Sequence, residues 1–159
     1  MVQITFISVG TLKEGYLREA VAEYKKRLSQ YAKVDEINIK EEQIKNEDDQ
    51  SEINRALEYE GEKILQAIPK DSYKIMLCVE GREYDSPALA KLIESACDQK
   101  GKLSFVIGSS HGMAKSVKDS ADLKLSISKL TFPHQLMRPV LLEAIYRSFT
   151  IIHGKRYHK

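Results

Sequence analysis

Residues Tyr73–Gly81 read YKIMLCVEG. Five apolar side chains follow one another from Ile75 to Val79 before the run closes on Glu80-Gly81. A strand with one wet face would alternate. A near-continuous apolar run bounded by turn residues predicts a strand buried on both faces, as in a parallel sheet. Upstream, Ile53, Leu57, Ile64, Leu65 and Ile68 share one face of a charged helix that ends near Pro69. Downstream, SPALAKLIESACDQKG predicts a helix with Ser86 at its N-cap, Pro87 at the first helical position and Gly101 just past its end. KLSFVIGSSHG (102–112) then supplies a second buried strand that runs into a loop.

The same alternation extends to both termini. VQITFISVG (2–10) is rich in β-branched residues and ends on glycine, so it reads as a strand. Leu17, Ala20, Val21, Tyr24 and Leu28 recur at helical spacing, and KVDEINIK marks a second strand through Val34, Ile37 and Ile39. The acidic stretch 46–50 reads as a solvated loop, 113–121 as a short helix, DLKLSIS (122–128) as an alternating strand, and 133–152 as the region of the last helix. Strand and helix alternate throughout, which predicts an α/β fold with a mostly parallel sheet flanked by helices. No repeat, low-complexity tract or linker interrupts residues 1–159, so a single domain is expected.

With 159 residues and 42% hydrophobic content the chain can bury a sizeable core. Its 25 Lys+Arg against 23 Asp+Glu leave a net charge of only +2, so overall charge does not announce a polyanion binder. Clustering is what steers such a partner, and cations do cluster at the end: Lys155, Arg156 and Lys159 follow with no acid after Glu143. Cys78 and Cys97 lack the short spacing of a metal or redox pair and read as two reduced thiols. No apolar run approaches the length of about 18 residues that a membrane span needs. The N-terminus has no basic start followed by an apolar core. A cytoplasmic protein with no membrane partner is expected.

Ligands of parallel α/β sheets bind beyond the C-terminal strand ends. Three ends are unusual here: Leu77–Gly81, Gly108–Gly112 and Ile127–Phe132. Gly108 and Gly112 let the backbone approach a ligand or take positive φ, although a tight strand-to-helix turn alone would use them equally well. No Gly-Lys-Ser/Thr follows, and the loop does not match G-x-G-x-x-G, so a phosphate cradle is not indicated. GSSHG does match the G-x-S-x-G nucleophile elbow. A small serine hydrolase would then use Ser110 with Asp119 or Asp122 and His134 or His153, in a chain short for that fold. His134 sits where the last helix begins, and Pro139 either kinks that helix or lies within its first turn. The tail interleaves Tyr157 and His158 with Lys155, Arg156 and Lys159. Rings that meet bases and cations that meet phosphates suit a nucleic acid, whereas a frayed terminus would carry the same residues to no purpose.

LTFPHQLMR, EAIYRSF and the terminal YHK, with FVIG and the opening ISVGTLKEGY, resemble the ribosomal RNA large subunit methyltransferase H family of the SPOUT class. The resemblance spans the chain and implies a C-terminal trefoil knot, which generic rules against threaded chains would not suggest. It also implies a homodimer and the use of S-adenosylmethionine. The implied target is N3 of a pseudouridine in 23S ribosomal RNA on the assembled ribosome. Carried over by position, the cofactor site falls on Leu77, Gly108, Ile127, Ser128, Lys129, Leu130, Thr131 and Phe132. The family's glycine-rich loop departs here at Ser109, which must avoid positive φ, and Pro139 stands where an aliphatic residue is common. Methyl transfer to a ring nitrogen needs no metal, but it does require loss of the N3 proton. Tyr157 or His158 is expected to handle that proton and position the base, with Arg147 and Lys159 on phosphate or the developing anion. His134 is expected to order the cofactor loop or the dimer surface. A ribosome-binding factor without catalysis is the alternative of a different class.

Overall fold

The computed structural model describes residues 1–159. Five strands form one sheet: β1 (Val2–Val9), β2 (Ala32–Ile39), β3 (Tyr73–Arg82), β4 (Lys102–Ile107) and β5 (Leu123–Leu125). Their order is β2-β1-β4-β3-β5, and every pairing is parallel. The helices are α1 (Gly15–Leu28), α2 (Gln50–Ala67), α3 (Ser86–Lys100), α4 (Lys115–Asp119) and α5 (His134–Ile152). The fold is therefore α/β with a parallel sheet covered on both faces.

Alternation along each strand divides the core in two. Ile4, Phe6, Ile75, Leu103 and Phe105 point to the face covered by α1, α3 and α5, where they meet Ile93, Leu142, Ile145 and Phe149. Ile7, Val9, Met76 and Val106 point to the face covered by α2 and α4, against Ile64 and Val117. The central strands thus bury both rows of side chains. This is why β3 carries the apolar run Ile75–Val79 and β4 is apolar from Leu103 to Ile107 but for Ser104, which is buried and bonded to Ser72. Each large side chain fully removed from water, such as Phe6 or Phe105 at 1% exposure, contributes about 1.5–3 kcal/mol.

Several boundaries differ from those the sequence suggests. Asp85, not Ser86, caps α3: its Oδ1 accepts from Ala88 N at 2.8 Å, and Ser86 is already helical. Gly101 terminates that helix at φ 67°, as expected of a C-terminal glycine. Part of the acidic stretch also does structural work, since Asp49 caps α2 by accepting from Ser51 N and Glu52 N and Gln50 opens the helix. β5 spans three residues only. After Leu125 the chain leaves the ladder, with Ser126 Oγ donating to Ser128 O and Leu130 N donating to Ser128 Oγ. Pro139 lies inside α5, beyond the first turn, so one helical hydrogen bond is missing there.

Candidate active site

The three strand ends converge. Leu77–Glu80 of β3, where its pairing with β5 is interrupted, Ile107–Met113 from the end of β4, and the segment 126–134 before and at the start of α5 enclose a cavity of about 780 Å³. That size suits a small organic ligand. Of the positions carried over from the family, Leu77, Gly108, Ile127, Ser128, Leu130, Thr131 and Phe132 line it; Lys129 is exposed and does not. Leu130 stands 71% exposed at the rim, an unusual position for a leucine with no partner in its own chain.

The β4 loop shows why its residues are what they are. Ser109 N donates to Gly112 O at 3.0 Å and Gly112 N to Ser109 O at 2.9 Å, which closes a tight turn with Ser110 and His111 at its tip. Gly112 takes φ 91°, while no residue other than glycine has positive φ, so Ser109 sits without strain. Gly108 has no room for a side chain: a Cβ there would press into the Gly112 carbonyl. Gly81 is similarly confined by the Lys124 and Leu125 backbone, where β3 shifts register against β5. The cavity wall at Gly108 is therefore bare backbone. Together with Leu77, Ile127 and Phe132 as apolar walls, it can hold a small organic ligand with both apolar and polar parts.

Charge near the cavity is sparse. Glu80 and Lys118 pair at 2.6 Å, and that bond holds the Glu80 carboxyl below its usual range. His134 opens α5 and lines the cavity; burial pushes its pKa down, opposed by Glu41. One turn on, Arg138 is 5% exposed and its Nη2 donates to Val9 O at 2.8 Å and Gly10 O at 2.5 Å. This pins the start of α5 to the end of β1. In the sequence the only signal of Arg138 is a cation within the motif LTFPHQLMR.

The hydrolase constellation does not assemble. Ser110 Oγ lies 3.4 Å from Nδ1 of its own neighbour His111. Asp119 is bound to Lys115, Asp122 accepts from Lys74 N, and His153 lies at the far end of α5 against Phe149 O.

The tail residues form a second centre, away from the cavity. Arg147, Tyr157, His158 and Lys159 contribute nothing to the cavity lining. Arg147 stands thirteen positions beyond His134 on α5, about 20 Å of helix axis. Beyond Gly154, at φ 64°, the chain turns back along α5. Tyr157 packs edge-on against Tyr146 with centroids 4.9 Å apart, and the Arg147 guanidinium lies over its ring at 4.7 Å. A single oxygen, Glu143 Oε1, accepts from Arg147 Nε at 3.0 Å, Arg147 Nη2 at 2.6 Å and Tyr157 Oη at 3.2 Å. Burial, then Glu143, push the Tyr157 pKa up. Arg147 also reaches His158 Nδ1 at 3.2 Å. His158, Arg156 and Lys159 face solvent. In the sequence Glu143 stands out only as the last acid before the cationic end.

Comparison with known proteins agrees with this geometry. Residues 2–158 match the family described as "Predicted SPOUT methyltransferase". A protein of Methanococcus maripaludis is 48% identical over 157 residues, covering 98% of this chain and 99% of the other. The ribosomal RNA large subunit methyltransferase H of Shouchella clausii is 46% identical over 157 residues, again 98% and 99% of the two chains. In fold, the chain is similar to a probable methylase family protein of Haemophilus influenzae Rd KW20, with TM-score 0.58 and 14% identity over 99% of this chain and 70% of that one. A pocket of backbone turns at the carboxyl edge of a parallel sheet, and a family match from the second residue to the second-last, place the chain in the SPOUT methyltransferase family.

Proposed function

We propose that the protein methylates N3 of a pseudouridine in 23S ribosomal RNA, using S-adenosylmethionine, on the assembled ribosome in the cytoplasm. We propose further that it works as a homodimer, the tail of one chain completing the cavity of the other. The names of the full-length relatives support the RNA class. One observation carries the rest: the cavity opens at the start of α5, whereas the cationic, aromatic tail is clipped beside Arg147, about 20 Å along the same helix. A chain folded this way does not bring its own tail to its own cavity. Exposed Leu130, Val79 and Leu136 near the cavity mouth offer apolar surface for the second copy.

The donor, when bound, supplies a methyl group made electrophilic by a positively charged sulfur. The Gly108–Gly112 turn and the segment 127–132 give it backbone groups and apolar walls, and Phe132 and Leu77 keep water from the reacting line. Lys159 and Arg147 provide a cationic surround in which the deprotonated ring is favoured, and His158 adds a ring that can hydrogen-bond to it. Holding nitrogen, methyl and sulfur in line is the main contribution such a site makes. The test is methylation of assembled ribosomes and of naked 23S RNA with labelled donor, the modified nucleoside being identified by mass spectrometry. The expected product is an N3-methylated pseudouridine, formed on ribosomes far better than on naked RNA. A labelled nucleoside other than pseudouridine, or no incorporation, would overturn the reading.

A further inference from the structure

We propose that Arg147, itself held by Glu143, fixes His158 as the tautomer with its proton on Nε2, so that His158 serves as a hydrogen-bond donor to the target ring and not as its base. This rests on the functional reading above and assigns roles within the tail.

The argument starts from what each group can do. A guanidinium has five N–H donors and no acceptor. The contact between Arg147 Nη1 and His158 Nδ1 at 3.2 Å is therefore a bond from arginine to a bare Nδ1. A neutral imidazole carries one proton, so it stands on Nε2. Taking up another would place an imidazolium N–H against the guanidinium. The one lone pair that could accept a proton is already engaged, and the exposed edge of the ring presents an N–H.

Arg147 can hold this orientation because it is itself held. Both its Nε and its Nη2 bond to Glu143 Oε1, a fork that aims Nη1 at the tail. Tyr157 closes the arrangement by donating its hydroxyl to the same oxygen, with its ring under the guanidinium. Tyr157 is thereby a fixed donor as well. From α1, Arg27 lies over Tyr24 and Tyr146 and adds positive charge facing Tyr157; Arg156 and Lys159 flank His158 in the chain. Neither ring of the tail, Tyr157 or His158, is free to take a proton. Glu143, with three donors on one oxygen, is a positioning residue.

N3 of a uracil-type ring lies between two carbonyls, so the charge left by its proton spreads to both oxygens. In the resulting scheme the N3 proton passes to solvent hydroxide, and the pair left on nitrogen forms the N–CH₃ bond while the carbon–sulfur pair goes to sulfur. His158 Nε2–H donates to a flanking carbonyl oxygen and stabilises the anion, as an oxyanion donor does.

Two measurements test this. In the full-length protein with ¹⁵N-labelled histidine, at a pH where the ring is neutral, Nδ1 should resonate as a lone-pair nitrogen and Nε2 as a protonated one. In Arg147→Met a fraction with the proton on Nδ1 should appear. The reverse assignment in the wild type, or a spectrum that Arg147→Met leaves unchanged, overturns the proposal. The second measurement is methyl transfer to ribosomes by three variants. Glutamine places an amide N–H close to where Nε2–H stands; asparagine and alanine do not. His158→Gln should keep kcat within about tenfold of the wild type, whereas His158→Asn and His158→Ala lose on the order of 10²-fold or more, with donor affinity by calorimetry unmoved in all three. If His158→Gln is as impaired as His158→Ala, the ring acts as a base and the proposal fails. A wild type that methylates no ribosome would instead sink the functional reading, and the nitrogen spectra would still decide the tautomer.

Discussion

The two ends of α5 are built from opposite materials. At its start, the cavity is made of backbone: a closed turn between Ser109 and Gly112, a glycine with no room for Cβ, and a segment that leaves the sheet after Leu125. Toward its end, the second centre is made of side chains, with Glu143, Arg147, Tyr157 and His158 joined through one oxygen and one guanidinium. Backbone gives shape, and shape fails when bulk is added. Side-chain clusters give charge and direction, and they fail when a single group is removed while the fold stands. The two ends should therefore separate cleanly in mutants, one losing donor binding and the other losing chemistry.

The largest effect is expected from removing Lys155–Lys159. Nothing in the core rests on these residues, all exposed except half-buried Tyr157, so unfolding temperature and donor affinity should barely change. Methyl transfer to ribosomes should fall by about 10³-fold or more, since orientation and charge stabilisation are lost together. Mixing makes the comparison sharper. A tail-deleted chain and a cavity-damaged chain, each inactive alone, should regain activity when their dimers are allowed to exchange, because the intact tail of one then meets the intact cavity of the other. No recovery in a mixture shown by mass to contain hybrid dimers would mean that each chain serves itself.

Gly108→Ala is the matching lesion at the other end. The added Cβ meets the Gly112 carbonyl, so the turn itself must move before any ligand is crowded. Overpacking against rigid backbone costs about 1–3 kcal/mol. If that cost falls on the binding-competent turn, donor affinity drops roughly 5- to 150-fold. Calorimetry with the donor reads this directly. The histidine spectra of the tail should not change, and a change there would show that the two ends are coupled.

The same division explains what could be read before the fold was known. Backbone features leave local marks. The apolar runs at Ile75–Val79 and Phe105–Ile107, and the glycines at 108 and 112, announced both the sheet and the cavity edge. Asp85 and Ser86 stand side by side as two good caps, and only the bond to Ala88 N chooses between them. Glu143 left only its i,i+4 spacing to Arg147, which does not reveal the bond to Tyr157, and Arg138 left no mark of its bonds, because its partners are brought near by the folded chain. Arg138 is the clearest case, since Val9 and Gly10 lie 129 and 128 residues away in sequence. Replacing it with methionine keeps much of the bulk and strands two buried carbonyls. The expected loss is about 1–3 kcal/mol of stability, seen as a lower urea midpoint, with a smaller fall in donor affinity as the His134 and Met137 wall loosens.

Glu60 gives the smallest effect and a sign that is easily mistaken. It is 3% exposed; its Oε2 accepts from Glu42 N at 2.9 Å, and its Oε1 has no partner. Burial pushes its pKa up, and nearby Glu41 and Glu42 push the same way against the backbone bond. In the unfolded chain the group ionises at its ordinary value, near 4.5. Between that value and the raised one, the folded protein binds more protons than the unfolded chain, so stability declines as pH rises. Glu60→Gln removes the charge and keeps an acceptor for Glu42 N. The variant should have a higher urea midpoint than the wild type at pH 7, and the difference should vanish near pH 4, where both chains are neutral at this position. A Glu60→Gln protein less stable than the wild type at pH 7 would mean that the carboxylate is charged and held by a partner, which would tie α2 to the cavity loop through His111.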